Sequence, residues 1–133
     1  MKHTLLALAL VALATGAMAQ EKAKIYFIRS TGYNWGGAYK AFIDEKLVCN
    51  IQNKRYSIHE VEPGEHRVSV QFSGKQHKGN DEPIVITVEA GKKYYVEMAI
   101  KRKFATSDLY CQEVTESTAK NLMKECKEDE TCF

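Results

Sequence analysis

Beyond its N-terminal stretch the sequence has no apolar run of the length a bilayer-spanning helix needs, so no transmembrane segment is expected. Cysteine is absent before Cys49, so a lipid anchor on a cysteine at a leader-cleavage site is not expected either. Charge of one sign is not in excess: the formal net charge is +2 at pH 7, and losing Lys2 with a leader brings it to +1. That balance gives no footing for nucleic acid or an anionic surface as a partner of the whole molecule. Catalytic motifs are missing too. There is no Gly-x-Ser-x-Gly elbow, no phosphate-cradling glycine loop and no C-x2-C pair. No catalytic residue, cofactor or metal site is expected from motifs.

What the N-terminus holds is a secretory leader. Lys2 and His3 precede an apolar run from Leu5 to Ala14, and Ala17-x-Ala19 follows as a cleavage signature. Residues 1–19 are expected to be removed between Ala19 and Gln20, leaving 20–133 as one small domain, periplasmic or secreted. Four cysteines remain: Cys49, Cys111, Cys126 and Cys132. An even count in an exported domain implies two disulfides, with three connectivities open. Cys126 and Cys132 are neighbours near the tail, and Cys49 and Cys111 both fall in expected strands. The economical pairing is therefore Cys49–Cys111 with Cys126–Cys132. A metal site built from these thiols and a histidine is the rival; the spacings and an oxidising compartment disfavour it.

The rest of the chain reads as strands and turns. "AKIYFIR", residues 23–29, is rich in β-formers and apolar on both parities, which suits a strand covered on both faces. "KAFIDEKLVCNIQ" reads as a hairpin turning at Asp44-Glu45-Lys46, and "RYSIHEV" as a further strand. In "EHRVSVQF", His66, Val68, Val70 and Phe72 share one face. Ile84, Ile86 and Val88 do the same in "IVITVEA", as do Tyr94, Val96, Met98 and Ile100 in "KKYYVEMAIK". "DLYCQEV" is the last strand. Thr115 or Ser117 then caps a closing helix whose apolar stripe is Ala119, Leu122, Met123 and Cys126. Two Val-Glu-x-Gly stretches, at Val61 and Val88, mark places where one strand ends and a glycine lets the backbone reverse. Seven or eight short strands with turns between them imply an antiparallel β-sandwich, its helix placed across an open end or edge.

Ile43-Asp44, Asn53 with Tyr56, Pro63-Gly64-Glu65-His66 and Gly91-Lys92-Lys93-Tyr94-Tyr95 occur here in that order. In this the chain resembles the bacterial envelope family known as domain of unknown function 2846. It is more distantly similar to carboxypeptidase-regulatory-like and PEGA-type modules, which share the Pro-Gly-x-His turn. The resemblance runs from about Lys24 to the helix. It implies an immunoglobulin-like or transthyretin-like β-sandwich in the cell envelope, without a known enzyme activity. The chain departs from it in lacking the anchor cysteine and in carrying extra cysteines.

Candidate chemistry is sparse. His66 lies on an apolar face, where a histidine is more often a core residue bonded to a backbone carbonyl than a ligand. His59 is expected to be exposed, and His77 lies in a polar loop. Ser57 and Ser69 lack a base and an orienting acid, and adjacent Asp44 and Glu45 point to opposite faces if extended. The run Lys101-Arg102-Lys103 and the acidic stretch from Glu125 to Glu130 read as solvated surface. The segment "STGYNWGGAYKAF", residues 30–42, carries Trp35, the single tryptophan, with Tyr33 and Tyr39 on a glycine-rich loop. Such aromatics stack on sugars or anchor a protein partner; the structural alternative is that Trp35 folds back to cap the sandwich. The residues describe an exported, disulfide-stabilised binding module for an envelope protein or glycan, not an enzyme. Two other functions compete: an accessory subunit that pairs through a strand edge, and a metal-binding or hydrolytic protein using His66. Expressed with its own leader and recovered from a periplasm, the protein should have an intact mass beginning at Gln20. A mass that retains Lys2 would refute the leader.

Overall fold

The computed structural model describes residues 21–30, 37–73, 83–105 and 107–133. The alternating segments form strands β1 (Ala23–Arg29), β2 (Tyr39–Ile43), β3 (Lys46–Ile51), β4 (Arg55–Val61), β5 (Gly64–Phe72), β6 (Ile84–Val88), β7 (Lys93–Arg102) and β8 (Ser107–Val114). A helix, α1 (Glu116–Met123), and a two-residue strand, β9 (Lys127–Glu128), complete the chain. They build two sheets, ordered β8-β7-β1-β4-β9 and β3-β2-β5-β6, packed as a sandwich.

Most neighbours are antiparallel, as expected. Two are not: β1 runs parallel to β7, and β4 parallel to β9. Among the described residues no crossover helix joins β1 to β7; the chain between them builds the second sheet and β4. The turns follow the sequence closely. Asp44 and Glu45, with φ of 51° and 67°, make a two-residue hairpin, and Lys46 already belongs to β3. Gly64 and Gly91 sit at φ of 130° and 73°, a region that penalises a Cβ, which is why glycine ends each Val-Glu-x-Gly stretch.

Between the sheets lies the main core. Ile25 and Phe27 of β1, Val96 and Met98 of β7 and Leu109 and Cys111 of β8 face Tyr39, Ala41, Cys49, Ile51, Val68, Val70, Ile86 and Val88 of the second sheet. A second, smaller core lies on the outer side of the first sheet. There Ile28, Tyr95 and Ala119 are buried among Tyr26, Tyr56, Val114, Leu122, Met123 and Cys126. The helix therefore does not close an end or edge; it lies on the outer face of the five-stranded sheet. The physical reason is β1, whose even-numbered residues Tyr26 and Ile28 are apolar and need cover as much as its odd ones do. Thr115 is the N-cap, its hydroxyl accepting from the Thr118 N–H at 3.3 Å.

The cysteine pairing differs from the expected one. Cys49 on β3 is bonded to Cys132, and Cys111 and Cys126 are free thiols. Cys111 lies within 3.7 Å of the Val68 carbonyl of β5, and β2 stands between β5 and β3. Two strand spacings separate it laterally from Cys49 by about 10 Å, beyond disulfide reach. Cys126 belongs to the outer core under α1, whereas Cys132 packs against the core between the sheets, so the short Cys126–Cys132 bridge would have to pass through a sheet. Around the edge goes the backbone instead: β9 adds to β4, and the Phe133 N–H donates to the Val48 carbonyl of β3.

Denatured without reductant, the protein should show two free thiols per chain, and four after reduction. Burial pushes the Cys111 thiol up to about 11, so in the folded protein it should react slowly. Replacing Cys49 by Ser should lower stability by about 2–4 kcal/mol in urea unfolding.

Candidate functional site

One end of the sandwich is organised around Arg29, the last residue of β1. It closes a run that is apolar on both parities, so its side chain is drawn inward and is 1% exposed. A buried guanidinium needs acceptors. Its Nη1 donates to the carbonyls of Gly37 and Ile51, each at 2.8 Å, and its plane lies 3.5 Å from the centre of the Tyr39 ring. Burial lowers the Arg29 pKa, and Tyr39 opposes the shift. Tyr39 is 0% exposed and meets Phe72 edge-to-face at 5.6 Å. Tyr39 is thus excluded as a contact residue: an odd position of β2 faces the core, and Arg29 covers its ring. Tyr33 and Trp35 lie outside the described residues, as do Ala19, Gln20 and His77.

Beside Arg29 the tail forms a solvent-open cleft of ≈ 540 Å³, lined by Gln52, Arg55 and residues 127–131. Asp129 is its buried acid, 8% exposed. Its Oδ1 accepts from the Thr131 N–H at 3.0 Å and the Thr131 hydroxyl at 2.6 Å, and its own N–H donates to Tyr56 O at 2.7 Å. Burial opposes its charge, but the Thr131 and Gln52 donors hold its carboxyl below the usual range. Donor atoms of Cys49, Cys132 and Asp129 lie within 4.8 Å of one another, but both sulfurs are spent on the disulfide. Among the described residues this is the one cluster of metal-ligating type, and it contains no histidine.

The opposite end carries the Asp44 hairpin and the Pro63-Gly64 turn. His66 Nδ1–H donates to Asp44 Oδ2 and Nε2–H to the Glu62 carbonyl, both at 2.6 Å. Both partners only accept, so the arrangement is complete when the ring is an imidazolium. Partial burial works against that charge, yet the Glu62 carbonyl and Asp44 raise the His66 pKa above its ordinary value. Asp44 also takes the Arg67 N–H at 2.9 Å on Oδ1, while its own N–H donates to the Arg67 carbonyl at 2.8 Å. Partial burial opposes its charge too, but the Arg67 amide and His66 hold the carboxyl below the usual range. This is a clamp between two turns. Every polar atom of the ring is committed to it, which leaves none to bind a ligand or move a proton.

His59 is not the exposed residue expected from its place in β4. Odd positions of β4 face the second sheet, so His59 packs edge-on against Phe27 at 5.7 Å and contacts the Ser57 hydroxyl at 2.8 Å. Ser57 is 0% exposed, so its hydroxyl is closed to solvent in this structure. Arg29 was not singled out from the sequence, and Asp129, expected on solvated surface with the rest of Glu125 to Glu130, is buried instead. The signal for Arg29 was a charged residue ending a two-faced apolar run; the short tail acid had none.

The model of the family described as "Protein of unknown function (DUF2846)" matches residues 19–108. No curated protein matches the chain. The matched span includes Arg29, Asp44 and His66 and stops before α1 and the tail.

The two histidines should pull stability in opposite directions with pH. Burial lowers the His59 pKa from its ordinary 6.5 to about 4. The folded state thus disfavours its protonation, and stability is lost as pH falls from 6.5 toward 4. The raised His66 pKa acts inversely: its contribution is complete below the ordinary value and disappears as pH rises through the folded one. Chemical denaturation across pH 4–9 should give a maximum near neutrality. His59→Phe should flatten the acid limb and His66→Gln the alkaline one.

Proposed function

The chain belongs to the DUF2846 family of proteins of unknown function, and on that premise we propose that it is an exported, non-enzymatic binding module of a bacterial cell envelope. The observation that carries this is the Arg29 hydrogen bond to the Gly37 carbonyl. It ties the end of β1 to the start of the β2 hairpin, so the segment that leaves at Ser30 and returns at Gly37 has both roots fixed to one buried group. Loops rooted on a rigid scaffold are where folds place recognition residues. This one carries Tyr33 and Trp35, two large aromatics suited to stacking on a sugar or filling a pocket of a protein. Tyr39 is part of the anchor, under the Arg29 guanidinium. The cysteine bridge and the leader both suit an oxidising compartment. Against an enzyme stand a buried Ser57 beside a half-buried His59, and a His66 consumed by its turn.

Trp35 is the single tryptophan, so its fluorescence reports this loop alone. In mature protein it should be quenched by acrylamide, and its emission should shift saturably on titration with soluble peptidoglycan fragments or a solubilised envelope-protein fraction. Trp35→Phe or Tyr33→Ala should weaken that binding at least tenfold, read by calorimetry, with the urea midpoint unchanged. A tryptophan shielded from quencher whose loss lowers the midpoint would show that it caps the sandwich and would remove this reading.

A further inference from the structure

The β7–β8 hairpin reaches beyond the sheet that carries it. β1 pairs with β7 only from Lys93 to Glu97, whereas β7 and β8 stay paired out to Arg102 and Ser107. Met98 to Arg102 therefore continue past the last β1 partner, an overhang of about 16 Å. Its root is anchored, because Met98, Leu109 and Cys111 are buried in the main core. Its tip is not: residues 101–105, Lys-Arg-Lys-Phe-Ala, are all exposed. Phe104 has a relative exposure of 110%, and Tyr110, on the outer face of the same hairpin, 38%. From Lys101 to Tyr110 there are three cations and one acid, Asp108, which lies 2.6 Å from the Lys103 ammonium.

An exposed phenylalanine among cations gains nothing from the fold. It gains where an anionic surface overlies an apolar layer. We propose that this tip docks the protein peripherally on an anionic phospholipid bilayer. Phe104 enters the acyl boundary, Lys101, Arg102 and Lys103 meet the headgroup phosphates, and Tyr110 lies at the interface, where its ring and hydroxyl are both accommodated. A protein partner fits less well. A stable interface buries about 800 Å² on each side, more than a five-residue tip offers, and a convex tip with one projecting ring suits a fluid surface rather than a preformed pocket. The near-balanced charge of the whole chain does not oppose this. Attraction here is local, acting within a Debye length of about 10 Å at 0.1 M salt. The hairpin projects at the Arg29 end, where Ser30 and Gly37 root the aromatic loop, but the proposal does not rest on that loop binding anything.

The test is co-sedimentation of the mature protein with vesicles of phosphatidylcholine alone or with a quarter phosphatidylglycerol, at low and high salt. Binding is expected to the anionic vesicles only and to weaken several-fold at high salt. Phe104→Ser should reduce it at least fivefold, and Lys101→Glu with Lys103→Glu should abolish it. All three positions are exposed, so unchanged urea midpoints would exclude unfolding as the cause. Equal binding to both vesicle types, or no binding to either, would overturn the proposal. So would capture on heparin with no vesicle binding, which would assign the cations to a soluble polyanion. Trp35→Phe should leave vesicle binding intact, which separates this surface from the aromatic loop.

Discussion

β1 is apolar on both of its faces, and a strand of that kind has to be covered twice. Much of the architecture follows from that constraint. Phe27 and Ile25 call for a second sheet, which β2, β3, β5 and β6 supply. Ile28 and Tyr26 call for a layer on the other side, which α1 supplies by placing Ala119 over Ile28 and Tyr95. β1 also occupies the middle of its sheet, with β7 on one side and β4 on the other, so every neighbouring element is registered against it. A polar residue at Phe27 or Ile28 would leave an unpaired group in one core or the other.

The same strand explains why the two ends of the sandwich differ. At its C-terminal end the inward-facing position falls to Arg29, and a buried cation there recruits two carbonyls and a ring, binding β1, β2 and β3 together through one side chain. At the other end the connection is made by Asp44 and His66, a charge-assisted pair at the junction of two turns. Both are polar devices, but they are chemically unlike. Arg29 holds its partners at any pH a cell meets, whereas the His66 clamp is complete only while the ring is protonated.

Alternation of apolar residues placed eight strands and the helix stripe, because burial on one face imposes a period that can be read residue by residue. Turn chemistry placed the reversals at Asp44, Gly64 and Gly91, since few residues tolerate the backbone angles needed there. What alternation does not encode is which elements become neighbours. The parallel pairing of β1 with β7 and the docking of α1 on a sheet face both depend on contacts distant in sequence. For the cysteines, proximity along the chain was a misleading guide: Cys126 and Cys132 are close in sequence yet separated by a sheet. His59 was misjudged for a related reason. Its parity is opposite to that of Ile58, which made it look outward; but Ile58 shares the parity of Tyr56 in the outer core, and Ser57, His59 and Val61 face the second sheet.

The tail addresses a problem that every open sandwich has. Sheet edges carry unpaired backbone groups and invite association. β9 occupies the edge of β4, and Phe133 reaches the backbone of β3, with Cys49–Cys132 fastening the strap at the point where the two sheets part. Two residues of parallel pairing and one further backbone bond hold little by themselves, so the covalent bond and the Asp129–Thr131 turn make the closure persist. The other terminal strands are β6 and β8. β8 packs across β5, where the Cys111 thiol meets the Val68 carbonyl, and its outer side presents Asp108, Gln112 and Glu113. Charge of that sort discourages strand addition. Backbone groups remain open along β6, along β4 beyond Tyr56 and along most of β3, so the strap closes the seam only near the Arg29 end.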